Sequence, residues 1–430
     1  MKILVVGGGG REHAIIRKLM ESPENPQLFC APGNGGISSD AVCVPIKATE
    51  VDKMVEFATQ NAIDYAVVAP DDPLVLGMVD ALAEVGIPAF GPNKAAAILE
   101  GSKVFSKNLM KKYNIPTAGY ETFSDASKAA KFIKSNTAYP IVIKADGLAL
   151  GKGVLICETE RDALDAIKSI MMDGQFGKSG NSIVIEEFLT GPEVSVLSFT
   201  DGETVVPMVS SMDHKRALDG DNGLNTGGMG TIAPNPYYTK EIADECMEKV
   251  FKPTIEAMKS EGRPFKGCLY FGLMLTPNGV KVIEYNCRFG DPETQVVLPL
   301  LESDLLTIMR ATTDGTLTPD MVKFKDGCAA CVVLASGGYP QKYETGKAIH
   351  GLIAGQLEDD DAIIYHAGTQ LAEDDTVLVT SGGRVLGVTA VAESLLAAVE
   401  AAYAASEKIN FEGMHKRTDI GQRALSAVEE

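Results

Sequence analysis

Met1-Lys-Ile-Leu-Val-Val-Gly-Gly-Gly-Gly-Arg-Glu-His13 sets a short apolar run against a glycine turn and the start of a helical pattern. Strand, tight turn and helix in that order are the opening of a βα unit. Working outward, Gln27 to Cys30, Ala41 to Pro45 and Ala66 to Ala69 read as further strands, and Glu12 to Glu21, Val51 to Gln60 and Leu74 to Val85 as helices. Alternation of this kind predicts parallel strands joined by crossovers, hence a doubly wound α/β sheet with ligands at the carboxyl ends of its strands. Those ends are Gly7 to Gly10, Pro32 to Gly36 and Pro70-Asp-Asp-Pro73.

The apolar run at the N-terminus is shorter than a signal peptide requires, and no later stretch is clean enough to span a bilayer. At 430 residues the chain exceeds what one core organises, and about 150 residues per domain suggests roughly three domains. The net charge of −19 gives an overall field that repels polyanions, so neither nucleic acid nor a membrane is expected as a partner. Eight cysteines, mostly inside hydrophobic runs, read as buried thiols of a reducing compartment, and the cytoplasm is the expected location. Cys328 and Cys331 form the one CxxC, but on a strand they point to opposite faces and no second pair accompanies them.

Past Phe90 the pattern changes to α+β. Helices near Ala95 to Leu99 and Lys103 to Lys112 precede strands at Tyr139 to Lys144, Val154 to Cys157, Ser182 to Glu187 and Glu193 to Phe199. Ser211 to Ala233 reads as a long polar loop, and Tyr270 to Leu275 with Val280 to Asn286 as an antiparallel pair turned at Pro277-Asn-Gly279. Ala329 to Ser336, Val377 to Ala392 and a helix from Ser394 to Ser406 indicate a smaller third domain. The expected division is an N-terminal α/β domain over 1–100, a central domain over 101–322 with a mobile subdomain near 118–192, and a C-terminal α+β domain over 323–430.

The first glycine run suits a phosphate, since N–H groups converge at a helix start. It is not a dinucleotide fingerprint: Glu12 stands where a third glycine belongs, and the second strand ends at Cys30-Ala-Pro-Gly33 without an acid. A small phosphorylated substrate fits better. Gly147-Leu-Ala-Leu-Gly-Lys-Gly153 lies between two strands and can drape main-chain donors over a triphosphate, with Lys144 reaching a phosphate. In Val280-Lys-Val-Ile-Glu-Tyr-Asn-Cys-Arg288, residues two apart share a face. Glu284 and Asn286 then suit magnesium completed by phosphates and water, and Arg288 suits charge on a transferring phosphoryl group. Asp291-Pro292-Glu293 reads as an N-cap, a first-position proline and a first-turn acid. Asp213-His-Lys-Arg216 and Asn225-Thr-Gly-Gly-Met-Gly230 pair cations with a glycine nest.

Arg288-Phe-Gly-Asp-Pro-Glu-Thr-Gln295 resembles the signature of the phosphoribosylamine–glycine ligase family of the ATP-grasp superfamily. Val6 to His13, Ile143 to Ala149, Gly151 to Val154, Asp213 to Arg216, Asn225 to Gly230 and Gly382 to Leu386 resemble it too, in the family's order. The resemblance implies a central ATP-grasp domain and the reaction of ATP, glycine and 5-phosphoribosylamine to glycinamide ribonucleotide, ADP and phosphate, a step of purine biosynthesis. It implies ATP and Mg2+ (or Mn2+) as cofactors. Lys103 and Lys144 would meet the ATP phosphates beneath Gly147, Gly151 and Gly153. Glu186, Glu187 and Leu189 would border adenine, main-chain groups of the last two reading it, and Glu193 would hold the ribose. Glu284 and Asn286 would bind metal, and Arg288, Asp213 and Lys215 would face the reacting glycine. The phosphoribosylamine would lie among Gly9, Gly10, Asn34, Gly36, Asp71, Thr226, Gly227 and Gly228. The family usually carries Gly-Pro-Glu where this chain has Ala69-Pro70-Asp71, one methylene shorter. A transient contact with the amidotransferase that supplies the amine is also expected. The rival readings are another ATP-grasp carboxylate–amine ligase or carboxylase, and a hydride-transfer or nucleotide-sensing protein.

Overall fold

The computed structural model describes residues 1–136, 138–148, 153–353, 355–357, 362–372 and 377–429. Five strands, β1 (Lys2–Gly7), β2 (Gln27–Pro32), β3 (Val42–Cys43), β4 (Tyr65–Val68) and β5 (Ala89–Phe90), form one sheet in the order β3-β2-β1-β4-β5. Every pairing in it is parallel. Helices α1 (Gly10–Met20) and α2 (Val51–Gln60) are its crossovers. The two faces of β1 enter different cores: Ile3 and Val5 pack with one cluster, Leu4 and Val6 with another. That is the doubly wound sheet the alternation predicts, covered on both faces.

The helix expected over Leu74 to Val85 begins earlier and is broken. It is α3 (Asp71–Leu76) and α4 (Met78–Glu84), separated by Gly77 at φ +96°. Pro70-Asp71 is therefore the start of a helix, and Asp71 is its first residue.

Helices α5 (Lys94–Gly101) and α6 (Lys103–Lys112) lead to a four-stranded sheet of β6 (Tyr120–Phe123), β7 (Ile141–Ala145), β8 (Val154–Cys157) and β9 (Ile183–Glu187), ordered β6-β9-β7-β8. The glycine loop joins β7 to β8; its residues 149–152, Gly151 among them, lie outside the described residues. A second antiparallel sheet, β11-β10-β16-β17, holds β10 (Glu193–Asp201), β11 (Val205–Pro207), β16 (Lys266–Thr276) and β17 (Gly279–Asn286).

Ser211 to Ala233 is not a loop. It contains β12 (Met212–Asp213), a hairpin of β13 (Arg216–Leu218) with β14 (Asn222–Asn225), and β15 (Gly230–Ala233). β15 pairs with β18 (Cys328–Ser336), which pairs with β22 (Arg384–Ala392), and β22 with β19 (Ile363–His366). β20 (Thr369–Leu371) and β21 (Leu378–Thr380) pair separately. The sheet thus draws strands from both sides of residue 322. Polar side chains hid these strands, and the β18 partner of β15 lies about a hundred residues away, beyond any local periodicity.

Asp291 does not cap a helix. The helix starts three residues later, at Thr294–Leu300, and the Asp291 carboxylate reaches across the fold. It accepts from the Arg11 N–H at 3.4 Å and from Gln295 Nε2 at 2.8 Å, and faces Arg384 at 3.4 Å. Arg384 also donates to the carbonyls of Asp291 and Gly227. Asp291→Ala strands a buried guanidinium and a helix N-terminus, so it should cost about 3 kcal/mol, read as a lower midpoint in chemical denaturation. A midpoint equal to that of the unaltered chain would show that Asp291 does not join the regions.

Candidate active site

The face carrying Glu284 is made by an irregularity in β17. Val282 pairs with Leu273 and Glu284 with Gly272, leaving Ile283 as an extra residue. Before it Val280 and Val282 are buried; after it the buried positions become Tyr285, Cys287 and Phe289. One inserted residue exchanges the faces of a strand. Glu284, Asn286 and Arg288 therefore do not continue the face of Val280 and Val282, as a regular strand would make them do. They stay partly exposed while the core face stays apolar. A Cβ on Gly272 would sit 2.9 Å from Glu284 Cγ, so its lack of a side chain leaves room for this carboxylate.

Glu284 lies among cations. Lys215 Nζ approaches it at 3.4 Å, and Lys215, helped by Lys144, Lys103 and Arg288, outweighs burial to hold the carboxyl at about 2. Burial opposes the charge on Lys215, but Glu284 and then Glu193, 3.6 Å away, push its ammonium pKa well up. Lys215 thus turns toward Glu284, whereas His214 points the other way. Its Nδ1 donates to the Gly230 carbonyl at 3.2 Å and its Nε2 accepts from the Gly421 N–H at 3.1 Å. Burial lowers its pKa to about 4, which keeps the imidazole neutral.

On the neighbouring wall Lys103 Nζ donates to the Gly147 carbonyl at 3.0 Å, and burial lowers its pKa. Lys144 Nζ donates to the Ile283 carbonyl, the extra residue of β17, at 3.1 Å. Glu186 sits buried between Lys144 and Lys107, which together outweigh burial and keep it ionised. Its side chain is thereby spent on orienting lysines rather than on a nucleotide. The Glu187 N–H is likewise taken, by the Gly119 carbonyl at 2.9 Å, and its carboxylate by Lys281 at 2.7 Å. Leu189 lies two residues beyond β9, and Gly153 carries the carbonyl that bonds Ala145.

Arg288 gathers residues from distant parts of the chain. Its Nη2 meets Glu100 at 3.2 Å and donates to Asn286 Oδ1 at 3.3 Å, and its pKa is raised by Glu100, then Asp71 and Glu293, against burial. Burial pushes the Glu100 carboxyl up to about 7 in spite of that guanidinium. Glu100 escaped the sequence reading, although helical spacing from Ala96 puts it on the buried face of α5.

Several expected substrate contacts are already engaged. The Gly9 N–H donates to Glu12 Oε2 at 2.6 Å and the Arg11 N–H to Asp291, so the start of α1 holds two carboxylates where a phosphate was expected. Its glycines serve close packing instead: a Cβ on Gly8 would meet the Gly33 carbonyl oxygen, and one on Gly10 the Gln295 amide, each at 2.5 Å. Asn34 donates to the Gly8 and His366 carbonyls and accepts from the Gly36 and Ile37 N–H groups, which fills its side chain. A Cβ on Gly36 would lie 2.0 Å from the His366 ring. The nest is occupied too: the Gly227 N–H donates to Tyr339 Oη and the Gly228 N–H to Thr226 Oγ1. What stays open is a cleft of about 460 Å³ between the Pro32–Gly35 turn and residues 367–371, with Gly8, Ser38, Cys43 and Ser381 on its rim.

Residues 1–100, 101–294 and 329–423 match the N domain, the ATP-grasp (A) domain and the C domain of phosphoribosylglycinamide synthetase. The chain belongs to this family. It is 49% identical over 420 residues to the phosphoribosylamine–glycine ligase of Caldanaerobacter subterraneus, covering 98% of this chain and 99% of that one. It is 47% identical to that of Rhodopirellula baltica, covering 99% and 98%. A crystal structure of phosphoribosylamine–glycine ligase from Thermotoga maritima superposes with a TM-score of 0.85 at 34% identity, over 98% of this chain and all of that one. A biotin carboxylase from Campylobacter jejuni, at 16% identity and a TM-score of 0.76 over 100% and 95% of the two chains, shares the fold. Membership makes this chain an ATP-grasp ligase and sets aside the hydride-transfer and sensor readings.

Glu284 and Asn286 offer a carboxylate and an amide at alternate positions of β17, and among the described residues no group of three or more His, Cys, Asp or Glu side chains gathers to hold a metal alone. That donor set fits Mg2+, which keeps waters and takes its remaining ligands from phosphates. Glu100→Gln removes the charge opposite Arg288 while keeping its shape. Turnover should fall about tenfold with the KM for ATP unchanged, since a misaimed guanidinium loses charge-assisted bonding. Steady-state kinetics check this, and unchanged turnover would deny Glu100 the role.

Proposed function

We propose that the chain joins glycine to 5-phosphoribosylamine through glycyl phosphate, releasing ADP and phosphate. The overall ligation, a step of purine biosynthesis, follows from family membership; the intermediate and the residue roles are the proposal. The observation that carries it is the Glu284 carboxylate, 3.4 Å from Lys215 and held ionised by Lys215, Lys144, Lys103 and Arg288. A carboxylate is a poor acyl donor until phosphorylated, and phosphoryl transfer asks a protein mainly for positioning and charge stabilisation.

Lys103 and Lys144 would bind the phosphates of ATP, with Gly147, Gly151 and Gly153 closing above them. The segment from Glu187 to Leu189 would border adenine, and Glu193 the ribose. Glu284 and Asn286 would hold Mg2+ or Mn2+, which when bound neutralises phosphate charge. Arg288, steadied by Glu100, would orient the glycine carboxylate, and Lys215 would stabilise charge on its carbonyl oxygen. Asp71, close enough to act on Arg288, would orient the ribosyl amine, and the rest of that substrate would extend into the cleft beside Asn34 and Gly35.

The same reading divides the chain at residues 100 and 322, with 118–192 as a lid that keeps water from the acyl phosphate. The separate β6–β9 sheet on either side of the glycine loop supports it. The cytoplasm is the proposed setting, in keeping with eight free cysteines, and the amidotransferase making the unstable amine is the proposed transient partner.

The deciding assay is ADP release with Mg-ATP, glycine and phosphoribosylamine made in situ, each omitted in turn. Release should require glycine and the amine and yield glycinamide ribonucleotide; release that ignores glycine but answers to bicarbonate or formate would overturn the reaction. Asp71→Asn should raise the KM for the amine about tenfold and leave that for ATP unchanged, as loss of one charge-assisted hydrogen bond implies. An unmoved amine KM removes Asp71 from the site. Glu284→Gln should raise the Mg2+ concentration for half-maximal activity at least about tenfold, and an unchanged requirement would take Glu284 out of the metal site.

A further inference from the structure

Lys107 is a buried lysine to which the ligation so far gives no part. It stands on α6 on the same helix face as Lys103, one turn further on. Its Nζ lies 2.5 Å from Glu186 Oε2, the β9 carboxylate whose other oxygen pairs with Lys144 of β7. No hydrogen-bond donor among the described residues is aligned on that Oε2, so the charge of Lys107 is what answers it. Lys107 also donates to Thr117 Oγ1 at 2.8 Å, and Thr117 donates in turn to the Val282 carbonyl at 2.7 Å. Lys144 donates to the next carbonyl along, that of Ile283. The two lysines are thus moored to neighbouring carbonyls of β17, Lys107 through Thr117, and they share one carboxylate. The ring of Tyr120 lies 5.7 Å from Lys107 Nζ, a surface that favours a cation.

The trio is almost fully enclosed: Lys107 is 2%, Lys144 4% and Glu186 5% exposed. Water screens such charges little, so their balance matters. Burial lowers the Lys107 pKa to about 8 against the pull of Glu186, which leaves its ammonium charged at neutral pH. Burial opposes the charge on Glu186, and Lys144 with Lys107 outweighs it. Two ammonium groups against one carboxylate leave one positive charge over in this wall, and an anion relieves that excess.

The consequence falls on Lys144. A lysine that is to meet a phosphate must loosen its hold on its own carboxylate, and a buried carboxylate left without a cation is costly. With Lys107 in place Glu186 keeps a partner when Lys144 turns to an anion. Without Lys107, Lys144 and Glu186 form a closed neutral pair. We propose that Lys107 is a positioning residue for ATP: by holding Glu186 it frees Lys144 to take a phosphate of the nucleotide. The inference rests on the reading above that Lys144 meets the ATP phosphates. A contact made equally before and during phosphoryl transfer acts on KM and leaves turnover alone.

Charge arithmetic supplies the test. Lys107→Met keeps most of the side chain and removes its charge. The KM for ATP should rise at least about tenfold, with turnover at saturating ATP and the KM for glycine within about threefold of the unaltered enzyme. The double variant Lys107→Met/Glu186→Gln removes one charge of each sign and leaves the net charge of the wall as it was. Its KM for ATP should return to within about threefold of the original, a recovery that a packing role for Lys107 does not give. An unmoved KM in the single variant, or a KM raised as far in the double variant as in the single, would overturn the assignment. Chemical denaturation shows whether each variant folds. If Lys107→Met does not, the double variant decides alone, by whether its KM stays within about threefold. Lys144→Met should raise the KM for ATP at least about tenfold as well. If it does not, Lys144 is not at the phosphates, and that reading falls together with this inference.

Discussion

The Asp291 carboxylate is the point that joins the N-terminal sheet, the helix Thr294–Leu300 and the C-terminal sheet. Buried, it would prefer to be neutral; Arg384 and then Arg11 outweigh that preference and keep it charged. Its bond to the Arg11 N–H fixes the N-terminal βα turn, its bond to Gln295 fixes the following helix, and Arg384 ties it to β22. Arg11 returns the contact by donating to the Phe289 carbonyl at 3.1 Å. A charge of this kind is tolerated only while every partner stays in place, so it specifies one arrangement of the surrounding chain.

The site inherits its geometry from that junction. Arg384 holds the Gly227 carbonyl, Tyr339 accepts from the Gly227 N–H, and Thr226 bonds the Lys215 carbonyl, so the C-terminal sheet positions the strand bearing Asp213 and Lys215. Phe289, gripped by Arg11, sits next to Arg288, which Glu100 steadies from α5. Each of these charged groups is thereby placed by residues of at least two sheets. The cations around Glu284 are set by the fold, and preorganised charge is what phosphoryl transfer requires. His13 adds a second tie, accepting the His366 N–H at 2.8 Å and pairing with Asp40 at 2.9 Å.

Much of this was legible in the residues. Period-two and helical patterns located β1, β2, α2 and α6 closely, because each of these buries a face or stripe that includes apolar side chains. Glu284, Asn286 and Arg288 were singled out because three polar residues at alternate positions are unusual in an otherwise apolar strand. Their common face follows from that alternation, while an inserted residue at Ile283 puts it out of phase with Val280 and Val282. The glycine run at 7–10 and the nest at 226–228 were read as anion cradles; in the structure the Gly9 N–H donates to Glu12, the Gly227 N–H to Tyr339 and the Gly228 N–H to Thr226. A local motif shows where N–H groups converge and not what already fills them.

The sequence by itself determined the α/β class, the parallel N-terminal sheet, the family resemblance and the residues that bear charge in the cleft. These follow from local periodicity and from residue chemistry, which act over a few positions. Only the tertiary structure decided that β15 joins β18, that Glu100 meets Arg288, and that Lys215 meets Glu284. Those contacts span tens to more than a hundred residues. Their energies arise from burial and from charges brought together by the fold, and no short stretch of chain carries either.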